Sequence, residues 1–434
     1  MRLRAIISAV LANVLNEYAT WRWIFYIGIM IETVALIGTA FTYWPTPRPR
    51  GDYDKSRWTE FKEIDFLGLI LFTCGLTSFL IGLTWGGSTG HPWSSASTVV
   101  PIVIGLVVVV ATFAFDSSIS SNPLFPRYLF VRFTGFSSLL VVLFISGMSF
   151  YPMASLLPRG SLYMFTTDGL EIGILSLPNT IMQGICGVAG PLVAHKIGHV
   201  KWQLVVALAL QATFVAAAAG AVYPNEKMAY IFLPAFGVPM FTWITILSYA
   251  IASLHVPHSV LGVAMGLLGT FRAAGGGVGN AILDTIFEDR FNAYAGPEVA
   301  AVALASGLSP DYLPEIIPGT IEYNLDIPGA LEAIPGMTPA IKEALRVAIR
   351  SAYGHAFKIV FYVTIPFTVI ALLCALFVEE PSTYMTNHVQ SAMSRNDTTR
   401  QKGLNEDMEK SDEAADINKG VTALSMKTLE MIRD

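Results

Sequence analysis

Apolar residues in this chain come in long blocks separated by short polar stretches. They neither alternate nor repeat on a single helical face. Nine blocks, near 21–44, 65–87, 98–116, 135–158, 171–194, 203–223, 229–254, 259–286 and 355–378, have about the 20 residues that a helix needs to cross a bilayer core of roughly 30 Å. Pro152, Pro178, Pro234, Pro239 and Pro366 fall inside these blocks. Lipid-embedded helices tolerate such residues where neighbours re-satisfy the backbone. The ten-residue alternating strands of a membrane β-barrel are not visible. The pattern predicts an all-α polytopic membrane protein with nine transmembrane helices.

The first block is preceded by a shorter one, Ala5 to Leu15, which is too short to cross. Arg2 and Arg4 in front of it imitate a signal peptide, but no small-residue cleavage site follows and a full span comes at once. Residues 1–20 therefore read as the stump of a preceding helix. Residues 287–353 are expected as a long loop with short helices near 298–306 and 339–350. Residues 379–434 are expected as a polar tail, disordered beyond about Met393, with an amphipathic stretch at 421–432.

Basic residues set the orientation, because cytoplasmic loops carry the excess of Lys and Arg. Arg48, Arg50, Lys55, Arg57 and Lys62 follow the first block, Arg127 and Arg132 the third, and Lys196 and Lys201 the fifth. The intervening loops hold little beyond Arg159 and Lys227. This predicts an extracellular 287–353 and a cytoplasmic C-terminus. Nine spans would then put the N-terminus outside, and an odd number of further helices ahead of the chain would return it to the cytoplasm.

Composition agrees with lipid as the main solvent. Charged residues make up 14% of the chain, against about 25% for soluble proteins, and the mean hydropathy is +0.55. The net charge of −5 and the lack of long basic runs exclude a nucleic-acid partner. Cys74, Cys186 and Cys374 all lie in apolar blocks without metal-ligand spacing, and they read as small buried hydrophobes. The histidines, including His255 and His258, show no metal pattern. No phosphate loop, nucleophile elbow or catalytic carboxylate pair is present, so neither a cofactor nor an enzyme is expected.

Several short motifs point further. Trp21-Arg22-Trp23-Ile24-Phe25-Tyr26 opens the first block, and Asp65-Phe66-Leu67-Gly68 opens the second. The second block closes on Leu83-Thr84-Trp85-Gly86-Gly87, ahead of Pro92-Trp93-Ser94. Pro123-Leu124-Phe125-Pro126 precedes Leu129-Phe130. Gly269-Thr270-Phe271-Arg272 runs into Gly275-Gly276-Gly277-Val278-Gly279, and Tyr384-Met385-Thr386-Asn387-His388 follows the last block. Together they resemble the fourteen-span drug:proton antiporters of the major facilitator superfamily, in particular the fungal trichothecene efflux pump group, with siderophore transporters as near relatives. The resemblance implies a major facilitator fold, of which this chain is the back part. Residues 21–44 would be the last helix of the first half, 45–134 the linking helix pair and its loops, and 135–378 a complete second half. It also implies efflux of a small organic compound such as a toxin, drug or siderophore-like molecule. Protons would be the coupling ion, and the plasma membrane the setting. The competing expectation is a transport-incompetent piece of such a transporter.

The candidate site residues follow from membrane physics. An ionisable group within a span is costly and marks function by default. Arg272 lies mid-span among Gly269, Gly275 and Gly276, either as a substrate or coupling contact or as a structural cation on backbone carbonyls. Glu32 lies eleven residues into the first block, either as a proton carrier or as a plain polar residue. Gln183 and Trp243, with Asn179, Gln211 and Thr242, either line a translocation cavity or make single hydrogen bonds between helices. His195, Lys196, Gly198 and His199 resemble a degraded copy of the superfamily's signature loop, with His195 in place of its acid and Pro191 in place of its first glycine. That loop is either a conformational-switch latch or a plain positive turn.

Overall fold

The computed structural model describes residues 11–12, 14–15, 19–43, 57–62, 64–86, 91–118, 123–131, 133–224, 227–256, 260–332 and 334–381. Most of the 1–20 stump, much of the first basic loop and the tail beyond Pro381 lie outside them. Among the described residues there is no strand, and nine helices are long and apolar enough to span a bilayer. The all-α polytopic fold expected from the apolar blocks is therefore the observed one.

The helices, in chain order, are α1 Arg22–Thr42, the short α2 Arg57–Lys62, α3 Phe66–Trp85, α4 Ala96–Ser118 and the short α5 Arg127–Val131. They continue with α6 Ser138–Met164, entered through a π-turn at Phe133–Ser137, then α7 Gly169–Ile197, α8 Val200–Ala217, α9 Lys227–Gly237, α10 Met240–His255 and α11 Leu261–Ala305. The last two are α12 Leu313–Asn324 and α13 Pro339–Leu376. Helices α9 and α10 form one broken span, Lys227–His255. Two compact units divide the chain. One comprises 1–38 with 53–385, and the other, 39–52 with 386–434, is described only over 39–43.

Local chemistry sets the starts. Asp65 accepts a hydrogen bond from the Gly68 amide at 2.7 Å, which caps α3. Asp168 accepts from the Leu170 amide at 2.8 Å and caps α7. Thr338 caps α13 ahead of Pro339, whose missing N–H costs nothing in the first turn. The Pro123–Pro126 motif has a structural reason as well. Buried Asp116, near the end of α4, accepts from the amides of Leu124 at 2.7 Å and Phe125 at 2.5 Å, so one carboxylate fixes the turn into α5.

Helices α6 to α13 form a bundle with two cores along its axis. Phe136, Leu139, Leu143, Leu204, Leu247 and Leu268 belong to one, and Met153, Leu156, Leu283, Phe287, Tyr353 and Phe357 to the other. The tightest seam is that of α6 with α11. A Cβ on Gly275 would lie 2.0 Å from the Phe144 carbonyl oxygen, and one on Gly279 2.4 Å from that of Met148. Only glycine admits this approach, and small residues are how membrane helices gain van der Waals contact.

The stretch 287–353 is more helical than the loop expected from its polarity. Helix α11 continues to Ala305 and α13 begins at Pro339, with α12 between them. Glu288, Asp289 and Arg290 end the apolar run but not the helix. Beyond them Ala295, Val299 and Ala303, at four-residue spacing, stay buried on one face. At 45 residues α11 is about 68 Å long, roughly twice the bilayer core. The end of the bundle that carries α12 is called the cap end below.

Two further expectations need correcting. Cys186 is buried, but Cys374 is only half-buried and Cys74 is exposed. Cys74 stands off the packed face of α3, which is formed by Gly68, Gly75 and Gly82 at seven-residue spacing.

Candidate transport cavity

Helices α6, α7 and α9 enclose a cavity of 160 Å³, and uncharged polar groups line it beside apolar walls. Helix α7 brings Ser176, Asn179, Thr180 and Gln183, one helical face at three- and four-residue spacing. Helix α6 brings Phe150, Leu157, Pro158 and Ser161, and α9 brings Tyr230 and Ile231. The Tyr230 hydroxyl is committed, since it donates to the Leu157 carbonyl at 3.2 Å. The Asn179 Oδ1 is buried with no hydrogen-bond partner among the described residues. An unsatisfied amide oxygen at a cavity wall is costly, and a bound donor or water would satisfy it.

Of the residues expected to line a cavity, Gln183 and Asn179 do so here and the others do not. Trp243, on α10, packs its ring 3.7 Å from where a Gly190 Cβ would stand, and its Nε1 is buried without a partner among the described residues. Gln211 is 1% exposed in the core of α8, and both of its amide atoms lack partners among the described residues. Thr242 is half-buried outside the lining. The Arg272 guanidinium lies 5.8 Å from the Phe241 ring centroid. Phe241 stacks at 4.1 Å on Phe150, which does face the cavity. Arg272 is therefore one aromatic layer behind the wall. Its Nε is buried without a partner among the described residues, and its carbonyl abuts Gly147.

Glu32 is remote from this arrangement in character. It is exposed on α1, a helix with no buried residue, in a shallow groove made by its own helix from Ile24 to Leu36. The signature-like loop is a tight turn. Helix α7 ends at Ile197, then Gly198 (φ 65°) and His199 (φ 47°, left-handed) reverse the chain into α8. Lys196 and His199 are exposed, and His195 is still within α7. The turn is held by Gln203, whose Nε2 donates to the carbonyls of Ala194 at 3.1 Å and Gly198 at 2.6 Å. Sequence reasoning missed Gln203, although an amide five residues past a helix-ending glycine is a legible cap.

It also missed a pair within the spans. Arg159 of α6 donates to Asp284 of α11 at 3.0 Å, across 125 residues of sequence. Arg159 fell one residue beyond the expected span 135–158 and was read as a loop charge. Asp284 lies within the expected 259–286, where an acid in an apolar run was the available signal.

The cap end is clasped by polar groups. The Thr167 hydroxyl donates to Asp326, and Arg346 of α13 donates to the same carboxylate at 2.5 Å. The Thr167 bond, then Arg346, holds that carboxyl below its usual range. Asn324 donates to the Tyr163 carbonyl and accepts from Arg350, both at 2.9 Å. The end of α12 thus ties α6 to α13.

Residues 4–422 match the family described as Fungal trichothecene efflux pump (TRI12). The chain belongs to that family. A major facilitator type transporter of Penicillium rubens, prx5, is 31% identical over 320 residues, which is 70% of this chain and 56% of that protein. The trichothecene efflux pump TRI12 of Fusarium sporotrichioides is 23% identical over 389 residues, 88% of this chain and 64% of the pump. Its namesake from Trichoderma arundinaceum is 25% identical over 382 residues, 85% and 62% respectively. The chain spans about three fifths of the length of these relatives. As a member of the trichothecene efflux pump family, with nine helices long and apolar enough to span a bilayer among its described residues, it is a multi-pass membrane protein.

Proposed function

We propose that this chain works in proton-coupled efflux of a small, uncharged organic compound of the toxin or secondary-metabolite kind, across the plasma membrane and with its C-terminus cytoplasmic. The observation that carries the substrate class is the cavity lining. Asn179, Thr180, Gln183, Ser161 and Ser176 offer hydrogen bonds among Phe150, Leu157, Leu175 and Ile231, and no charged side chain among the described residues faces the space. An ionic substrate would meet no counter-charge there, whereas a neutral molecule with a few oxygens would find both donors and apolar walls. The family and the names of the relatives support efflux. The alternating Lys and Arg bias of the loops supports the orientation. The driving force would be the membrane potential, about 2.3 kcal/mol per charge per 100 mV, together with the pH gradient.

The test is accumulation of a labelled trichothecene in yeast lacking its own efflux pumps, with and without this chain. Lowered accumulation that a protonophore restores is the expected result, and Gln183→Leu should weaken it several-fold at unchanged abundance. A chain that reaches the membrane and leaves accumulation unchanged overturns the reading. Cleavage of the tail by protease added to intact cells overturns the orientation.

A further inference from the structure

We propose that Asp284 is a proton-binding site within the membrane, with Arg159 as the counter-ion of its ionised form. Depth is the first argument. Helices α6 and α11 advance in step, with Gly275 against Phe144 and Gly279 against Met148. Those two contacts put Asp284 level with Met153, while Gly147 against the Arg272 carbonyl and Gly276 against Tyr151 put it level with Arg159, so it stands about 7–16 Å past the middle of the span Phe133–Met164 at 1.5 Å per residue. That is the outer part of one half of a bilayer core, whose half-thickness is roughly 15 Å. A carboxylate persists at such depth only beside a cation or as the neutral acid. Arg159 supplies the first condition at 3.0 Å, and a proton supplies the second.

Access is the second argument. The pair is not covered by the described residues of the protein, with side chains 48% and 39% exposed for Arg159 and Asp284. Along α11 the row Arg272, Gly276, Asn280, Asp284 advances by four residues and winds slowly around the helix. The buried Arg272 Nε and Asn280 Oδ1 on this row have no hydrogen-bond partner among the described residues. Water is the species that satisfies isolated buried polar atoms of both signs, so the row marks a hydrated line towards the middle of the span.

Isolation is the third argument. The described residues of α3 carry no charge, and Arg159 is the one charged residue of α6. Tyr151 and Tyr163 are the other titratable groups of α6, and Tyr249 and His255 those of α10. Helix α12 offers Glu315, Tyr323 and Glu322 at the cap end. From α13 come Tyr353, exposed Lys358, and His355, which is bonded to Glu298 at 2.8 Å. On α11 itself Glu288 follows one turn later. Among all of these, Arg159 is the charge bonded to Asp284, at 3.0 Å. When a water-borne proton binds the carboxylate, the acid becomes neutral and the guanidinium loses its partner. The long Arg159 side chain is then free to swing toward the cap-end interface.

The use of this proton in transport rests on the coupled-efflux reading, but the site itself is read without transport. Infrared difference spectra of the whole chain in lipid, titrated between about pH 4 and 9, report protonated carboxyls directly. We expect a carboxyl band that titrates in the parent and is missing in Asp284→Asn. In Arg159→Ala its midpoint should rise by about one unit or more, since a lost cation favours the neutral acid. Arg159→Lys should hold the midpoint near the parent's, and Asp284→Glu should keep a titrating band at a shifted frequency. A parent spectrum identical to that of Asp284→Asn overturns the site, as does a midpoint indifferent to Arg159→Ala. Should Asp284→Asn not fold, absence of a shifted band in Asp284→Glu overturns it equally. A titrating Asp284 in a chain that shows no protonophore-sensitive efflux leaves the site standing and defeats the coupled-efflux reading. Coupled efflux with an unchanged band in Asp284→Asn does the reverse.

Discussion

Helices α1 and α11 carry the same signal in the sequence, an apolar run of spanning length with acid and glycine inside it, and they differ in how they are packed. Helix α1 has no buried residue, and Glu32 lies exposed along it. Helix α11 is pressed against α6 so closely that Gly275 and Gly279 touch its backbone, and its acid, Asp284, is paired across the seam. The glycines show the contrast most directly. A Cβ on Gly38 of α1 would meet nothing within 4 Å, while one on Gly275 would stand 2.0 Å from a carbonyl oxygen. A charge or a small residue inside a span therefore indicates function only once its neighbours are known. Three perturbations probe this contrast, from the largest expected effect to the smallest.

The largest effect is expected at the seam. Gly275→Ala forces α6 and α11 apart, because the obstruction is backbone and cannot rotate away. Overpacking of this kind costs about 1–3 kcal/mol and occasionally more, and a rigid seam belongs at the upper end. Thermal unfolding of the purified chain should show a clearly lowered midpoint and a loss of monodisperse protein. An unchanged midpoint would mean that the two helices do not pack as described.

How much of this was legible beforehand depends on the range of the interaction. The spans were visible because a run of apolar residues is a local property, and the opening of α3 at Asp65-Phe66 was visible for the same reason. The Arg159–Asp284 pair was not, because its members are 125 residues apart and only the α6–α11 seam brings them together. The short helix expected near 298–306 is there, but its continuity with the span through Glu288 was missed because hydropathy detects lipid, and this segment buries one face against protein. Gln183 and Trp243 read alike in the sequence, as polar groups in spans. The rotation of their helices put one on the cavity wall and the other against Gly190.

A smaller effect is expected at the cap end, where α12 clasps α6 and α13. Asp326 has its carboxyl held below the usual range by Thr167 and then Arg346. A depressed folded value means that the contribution is fully present above the unfolded value, about 3.9 for aspartate, and is lost as pH falls through the folded one. The clasp should therefore be indifferent to pH from 7 down to about 4 and loosen below that. The Asp326 side chain is 52% exposed, so screening limits the effect to under about 1 kcal/mol. Hydrogen exchange at the end of α12 should report the loosening, and Asp326→Asn should make that exchange insensitive to acid. Loosening that sets in well above pH 4 would point to a different group.

The smallest effect is expected at Gly38. Alanine is favoured over glycine inside a helix by about 0.5–1 kcal/mol, because glycine loses more backbone freedom on folding. At Gly275 that gain is swamped by collision, but at Gly38 nothing stands within 4 Å to oppose it. Gly38→Ala should leave the global unfolding midpoint within about 0.5 kcal/mol of the parent. The propensity gain should appear only as slower hydrogen exchange of the α1 amides. The pair Gly38→Ala and Gly275→Ala thus makes the same chemical change, one methyl group, on two membrane helices. If Gly38→Ala proved as damaging as Gly275→Ala, the exposed face of α1 would have to be a packed face in the membrane, and Glu32 would return as a candidate for an intramembrane role.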